Sequence, residues 1–126
     1  TKINNNTLGS NSSNQYGYGG GVFSSGGYLS IEDSEIIGNT LYGIQGGGIF
    51  SRGKLVTSNV LIAENSIINS SPPNNLGCRG GGVYYFADNG NNSGTCWSYS
   101  EMKNLTVSNN TVCTSQNSNG KGIFIR

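Results

Sequence analysis

The pentapeptide Gly46-Gly47-Gly48-Ile49-Phe50 is the most informative part of this chain about its fold, because the same pattern recurs several times along the sequence. The same pattern of glycines, an aliphatic residue and an aromatic residue occurs at Gly19-Gly20-Gly21-Val22-Phe23, at Gly80-Gly81-Gly82-Val83-Tyr84 and, in degraded form, at Gly120-Lys121-Gly122-Ile123-Phe124. The copies start 27, 34 and 40 residues apart. Such recurrence indicates a repeat architecture, in which each unit stacks on the next.

A second motif lies between the glycine copies. It consists of a β-branched residue, two variable residues, asparagine, threonine or serine, and an aliphatic residue, and its copies are 3–8, 36–41, 62–67 and 107–112. The two motifs alternate without exception. Length differences between units fall after the asparagine motif or in one large insertion, residues 86–98, which is either a binding loop or a loop that covers the flank of the repeats.

Each unit also contains short segments that are rich in β-branched or aromatic residues and show no helical periodicity. In the shortest unit, of about 26 residues, these segments are 22–24, 29–31 and 34–37. The sequence therefore predicts an all-β fold, a parallel β-helix (solenoid) of about four turns with three short strands per turn. Residues 1–126 form a single domain in this interpretation.

The composition fits this architecture and argues against several classes of function. Glycine, asparagine and serine account for 58 of the 126 residues, as expected for tight corners and closely stacked backbones. The net charge of +1 gives no attraction to nucleic acid, and no apolar run is long enough for a membrane span. The lack of histidine removes the commonest general base and metal ligand, so we expect no metal or cofactor.

One position of the repeat holds asparagine in every copy of the second motif. The four residues are Asn6, Asn39, Asn65 and Asn110. Asparagine tolerates the left-handed backbone conformation at the end of a strand, and stacked amides can hydrogen-bond from one to the next. We therefore predict a structural asparagine ladder at this corner.

The alternating motifs resemble the repeats of chlamydial polymorphic outer membrane proteins and, more broadly, right-handed parallel β-helix surface proteins. The matching residues are 20–22, 47–49 and 81–83 for the glycine motif, and 36–39, 62–65 and 107–110 for the asparagine motif. The resemblance covers essentially the whole chain. It implies a right-handed coil, an extracellular or cell-surface location and a structural or adhesive role.

An aromatic column accompanies the glycine motif, at Phe23, Phe50, Tyr84 and Phe124. In a strand these residues point away from the aliphatic column that precedes them by one residue. If the aliphatic column fills the core, the aromatic residues form an exposed stripe for a partner, a lateral packing surface or a sugar. If the aromatic column fills the core, the aliphatic residues face a covering loop. The burial of Phe50 distinguishes the two arrangements.

The acidic residues do not form the clusters that polysaccharide-cleaving β-helices use. Glu32 and Asp33 are adjacent and point to opposite faces of a strand, whereas Asp33 and Glu35 share a face but are not repeated in neighbouring units. We therefore expect no enzymatic activity. The alternative is a carbohydrate-binding or polysaccharide-cleaving β-helix.

The chain has three cysteines, Cys78, Cys96 and Cys113. We favour a disulfide between Cys78 and Cys113, which occupy the same loop in successive units, with Cys96 as a competitor for either. A disulfide fits an extracellular setting. Of six Asn-x-Ser/Thr sequons, the loop candidates for glycosylation are Asn11, Asn69 and Asn91.

The chain begins in mid-turn and ends inside the predicted strand of the last glycine motif, without a capping element. We therefore expect either a segment of a longer solenoid or a subunit that stacks head to tail into filaments. The predicted function is a non-catalytic extracellular or cell-surface scaffold with a structural or adhesive role. Its predicted partners are flanking turns or other copies of itself, and a host-surface or carbohydrate ligand.

Overall fold

The computed structural model describes residues 1–10, 16–69, 77–87, 100–114 and 118–126. Regular structure within these ranges is entirely β, as the sequence predicts. The strands are β1 (Lys2–Asn4), β2 (Thr7–Leu8), β3 (Val22–Ile37), β4 (Thr40–Leu41), β5 (Ile49–Ala63), β6 (Ser66–Ile67), β7 (Val83–Phe86), β8 (Glu101–Ser108) and β9 (Ile123–Ile125). The described ranges include no helix of the length and apolar character needed to cross a membrane.

All pairs among the described strands are parallel, and these strands form two sheets. The larger sheet has the order β1-β3-β5-β7-β9, and β8 also pairs with β5. Strands β7 and β8 use different halves of β5, because β7 pairs with residues 49–52 and β8 with residues 56–63. The smaller sheet has the order β2-β4-β6. Each strand thus lies against the equivalent strand of the next repeat.

The pairing register is the one that the motif alignment predicts. Val22 pairs with Ile49, which pairs with Val83, and this column continues to Ile123. In the asparagine motif, Ile36 pairs with Ile62 and Ile62 with Val107. Equivalent side chains of successive repeats therefore form continuous columns.

In the two central repeats the three predicted short strands pair separately with the next repeat but are joined through bends into one long strand. Strands β3 and β5 are continuous over 16 and 15 residues. Strand β3 bends where Gly26, Gly27 and Asp33 adopt positive φ, and β5 bends at Gly53 and Asn59 in the same way. Pairing with the neighbouring repeat resumes directly beyond each bend, so the bends change the direction of the strand without ending it.

The core lies on the side of the larger sheet to which the aliphatic residues of the glycine motif point. Its buried members are Ile31, Ile36, Ile49, Leu55, Val60, Ile62, Val83 and Tyr85. A smaller cluster contains Leu41, Ile67 and the disulfide between Cys78 and Cys113, the pair that the sequence favours; Cys96 lies outside the described residues. The aromatic column, one residue further along, therefore lies on the opposite, outer face of the sheet.

Candidate functional site

The asparagine column forms a hydrogen-bonded ladder that is buried in its middle. Oδ1 of Asn65 accepts hydrogen bonds from the backbone N–H and from Nδ2 of Asn39, both at 2.9 Å. Nδ2 of Asn65 donates to Oδ1 of Asn110 at 2.9 Å and to the carbonyl oxygen of Ile36 at 2.8 Å. Asn39 and Asn65 are fully buried, whereas Asn6, at the end of the ladder, is exposed. The amides of these two buried residues are thereby satisfied by the repeats on both sides of them.

The left-handed conformation falls one residue earlier than the sequence suggests. Asn5, Glu64 and Asn109 have φ values of 58°, 57° and 52°, and Gly38 occupies the same position with φ 67°. The residue that precedes each ladder asparagine therefore makes the corner. As a result, the ladder asparagine that follows has its amide inside the protein, hydrogen-bonded to the repeats on either side.

The ladder also explains why the glycine motif accompanies the asparagine motif. A Cβ atom on Gly48 would lie 2.7 Å from the carbonyl oxygen of Gly82, 2.9 Å from Cγ2 of Ile62 and 3.0 Å from Nδ2 of Asn65. These distances leave no room for a side chain. Gly48 is therefore required by close packing against the ladder, and not by its backbone conformation.

A second ladder, which was not predicted from the sequence, lies at the bend of the long strands. Nδ2 of Asn104 donates to Oδ1 of Asn59 at 2.9 Å, and Nδ2 of Asn59 donates to Oδ1 of Asp33 at 3.0 Å. All three residues have positive φ and are exposed. Their spacings of 26 and 45 residues equal those of Asn39, Asn65 and Asn110, a signal that could have identified the ladder.

The acidic residues near this bend are engaged in local interactions. Asp33 accepts the hydrogen bond from Asn59, and Glu35 forms an ion pair with Lys2 at 3.3 Å. Within the described ranges no group of three or more Asp, Glu, Cys or His residues could hold a metal ion. The geometry here fits a structural corner.

The aromatic column is a stack of nearly parallel rings. The ring centroids of Phe23 and Phe50, of Phe50 and Tyr84, and of Tyr84 and Phe124 are 5.2, 5.3 and 5.3 Å apart, with interplanar angles of 19°, 1° and 13°. Phe23 is 54% exposed, but Phe50 is only 8% and Tyr84 only 3% exposed. An exposed stripe is therefore wrong for the middle of the column, because neighbouring rings cover the faces of Phe50 and Tyr84.

The aromatic column does not fill the core either, since the aliphatic column does. Beyond Phe23, its rings are covered on the outer face by side chains from other positions of the repeat. The ring of Tyr18 lies 5.1 Å from that of Phe50, and the guanidinium of Arg79 lies over Phe124 at 5.5 Å. Burial of the outer face therefore depends on residues that the motif comparison did not include.

A cleft of about 390 Å³ runs beside the aromatic column. Its lining residues are Tyr18, Phe23, Ser25, Gln45, Phe50, Arg52, Tyr84, Phe86 and Arg126. The ring of Phe86 lies between two guanidiniums, with Cζ of Arg52 at 5.6 Å and Cζ of Arg126 at 5.7 Å from its centroid. Aromatic and basic side chains therefore meet in one concave surface, which is the strongest candidate for a binding site among the described residues.

The remaining predicted sites have different outcomes. Asn69 is 9% exposed and its Nδ2 donates to the carbonyl oxygen of Gly43 at 3.2 Å, so the atom to which a glycan would be attached is engaged and buried. The prediction of glycosylation at Asn69 is therefore not supported by this geometry. Asn11, Asn91 and most of the 86–98 insertion lie outside the described residues.

The chain matches no protein-family model, no curated protein and no solved structure. The resemblance to the outer membrane protein repeats therefore depends on the quoted motifs alone.

Proposed function

We propose that this chain is a right-handed parallel β-helix that serves as a non-catalytic extracellular or cell-surface scaffold, with a structural or adhesive role. The observation that carries the proposal is the asparagine ladder, which joins four successive repeats by side-chain hydrogen bonds. Ladders of this kind place equivalent residues at the same point of successive turns.

The corners between the strands support the same arrangement. Backbone N–H groups of Gly20, Gly47 and Gly81 donate to the carbonyl oxygens of Gly46, Gly80 and Gly120, at 2.9, 3.0 and 3.0 Å. The strands, the corners and the asparagine column thus all hydrogen-bond to the following repeat. This is the pattern expected when successive turns of a coil stack directly on one another. Connections between parallel strands of one sheet are almost always right-handed, which favours a right-handed coil.

Duplication of one unit tests the coil. A second copy of residues 40–65 inserted after Asn65 keeps the ladder in register, so we expect a cooperatively folded protein that is longer by about one strand spacing, ~4.8 Å, in X-ray scattering. A shuffled insert of the same 26 residues is the control. Loss of the folded state on faithful duplication, as expected of a closed barrel, would contradict the β-helix.

The disulfide supports an oxidising location. Cys78 is fully buried and Cys113 is 8% exposed, and the pair packs in the smaller apolar cluster. Thiol labelling of the protein from its native source tests the location, and we expect that Cys78 and Cys113 react only after reduction and unfolding. Labelling of both cysteines without reductant would contradict an extracellular location.

A carbohydrate-binding function is the second candidate, and the cleft beside the aromatic column favours it. Concave surfaces lined by aromatic side chains and a few polar groups are typical ligand sites. Incubation with a panel of polysaccharides tests carbohydrate binding and polysaccharide cleavage together. We expect that some of the polysaccharides retain the protein and that no new reducing ends are released. Release of reducing ends would refute the non-catalytic proposal.

A further inference from the structure

We propose that Asn109 carries an N-linked glycan, attached at the exposed corner that precedes the last asparagine of the ladder. Residues 109–111 read Asn-Asn-Thr and form one of the six sequons of the chain. The inference rests on the proposed extracellular location, because oligosaccharides are attached to such sequons in secreted proteins. It names a modification site and the chemical class of the group that the site takes.

The corner directs the side chain of residue 109 away from the core. Glu64 holds the same position in the preceding repeat, and it is exposed although repeats are hydrogen-bonded on both sides of it. Glu64 and Asn109 both have positive φ, 57° and 52°, whereas the residues that follow them, Asn65 and Asn110, are buried in the ladder. A large polar group attached at this corner therefore stays outside the packed interior.

The amide of Asn109 faces solvent and is not used by the fold. Its side chain is exposed and makes no hydrogen bond within the part of the chain that the structure describes. In the next residue, Nδ2 of Asn110 donates to the carbonyl oxygens of Ile62 and Ser108, at 3.0 and 2.9 Å. A glycan on Asn109 therefore replaces an N–H that faces water and leaves the hydrogen bonds of the ladder unchanged.

The other sequon asparagines within the described ranges have amides that are engaged in the fold. Asn69 is buried, and its Nδ2 donates to a backbone carbonyl oxygen at 3.2 Å. Nδ2 of Asn104 donates at 2.9 Å to the adjacent amide of the second ladder, so a glycan there would be attached to the nitrogen that holds this ladder. Oδ1 of Asn5 lies against Gly38, 2.5 Å from the place that a Cβ atom would take. The geometry thus favours Asn109.

The attachment exchanges one bond for another, without oxidation or reduction. The co-reactant is an oligosaccharide linked to a lipid diphosphate, which a transferase of the secretory pathway presents to the unfolded chain. Nδ2 of Asn109 forms a bond to the anomeric carbon of the first sugar, and the bond from that carbon to the diphosphate oxygen breaks. One N–H proton passes to a base of the transferase, and the lipid diphosphate leaves.

Mapping of glycans on the protein from its native source tests the proposal. Peptides of the purified folded protein are treated with peptide N-glycosidase in isotope-labelled water, which converts each glycosylated asparagine to labelled aspartate for mass spectrometry. We expect label at Asn109 and none at Asn69 or Asn104. Label that forms at Asn109 without the enzyme would report deamidation, and it would overturn the assignment.

Substitutions produced in the same cells distinguish the sequon from the fold. Thr111 is exposed, and Thr111→Ala removes the hydroxyl that the sequon requires, so it should abolish the label. Thr111→Ser retains a hydroxyl and should keep the label. Asn109→Gly should abolish the label in a folded protein, because glycine adopts the positive φ of this corner, as Gly38 does. Loss of the label in Thr111→Ser, or label at Asn69 or Asn104, would overturn the assignment.

The disulfide separates failure of this proposal from failure of the proposed location. If Asn109 is unlabelled in protein whose Cys78 and Cys113 react only after reduction and unfolding, the glycan is overturned and the extracellular location is left intact. If Asn109 is unlabelled in protein whose two cysteines react without reductant, both are overturned.

Discussion

Replacement of Asn65 by alanine should be among the most destabilising single substitutions in this protein. The side chain is fully buried and accepts two hydrogen bonds from Asn39, one from its backbone N–H and one from its Nδ2. In Asn65→Ala both donors lose their acceptor at a residue that is itself fully buried, and Ile36 loses a donor to its carbonyl oxygen. Oδ1 of Asn110 in the following repeat also loses the hydrogen bond from Nδ2 of Asn65, so repeats on both sides of residue 65 are affected.

The magnitude follows from the unsatisfied groups. Nδ2 of Asn39 keeps its hydrogen bond to the carbonyl oxygen of Ile3, so the substitution leaves the backbone N–H and one of the two side-chain N–H groups of Asn39 unsatisfied. At about 1–3 kcal/mol each, these two N–H groups together cost about 2–6 kcal/mol. A small cavity adds to this loss. Since the free energy of unfolding of a domain is about 5–15 kcal/mol, we expect a protein that is folded marginally or only at low temperature.

Asn6→Ala is the matched control, because it makes the same chemical change in the same column at an exposed position. It removes one hydrogen bond, from Nδ2 of Asn6 to Oδ1 of Asn39, while the backbone N–H of residue 6 still donates to that oxygen. We expect a loss of about 1 kcal/mol or less. Urea unfolding of both variants measures the difference as a shift in midpoint. A loss in Asn65→Ala no larger than that in Asn6→Ala would refute the role assigned to the buried ladder.

Substitutions at three further parts of the structure, two of them with a control variant, are tested by the same unfolding measurement. Gly48→Ala should lower the free energy of unfolding by about 2 kcal/mol or more through overpacking. Gly122→Ala should leave it nearly unchanged, because a Cβ atom there would meet only a methyl group at 3.6 Å. Equal effects of the two substitutions would contradict the close approach at Gly48. Cys78→Ser should lower the free energy of unfolding by about 3–4 kcal/mol, because the disulfide closes a separation of 35 residues. Addition of reductant to this variant should not lower its free energy of unfolding further. Phe50→Ala should cost about 3–5 kcal/mol and the more exposed Phe23→Ala clearly less, and the reverse order would contradict the stacked column.

The pairing of the repeats could be predicted from the amino-acid sequence. Parallel strands in register bring equivalent residues together, so the comparison of motifs was sufficient to place Val22 beside Ile49 and Asn39 beside Asn65. The same argument favoured Cys78 and Cys113 as partners, because both follow the asparagine motif in successive units. Local pattern is informative here because each repeat makes the same contacts with its neighbours as the last.

The burial of the repeat positions and the bends of the long strands could not be predicted from the sequence, because they depend on contacts between unlike positions of the repeat. The side chains that cover Phe50 on the outer face include Tyr18, from a different position of the repeat, so no comparison of equivalent residues could predict its burial. The left-handed conformation of Asp33 likewise depends on the path of the chain around the core. The stack of Arg52 on Phe86 joins unlike residues, and it is visible only once the strands are in place.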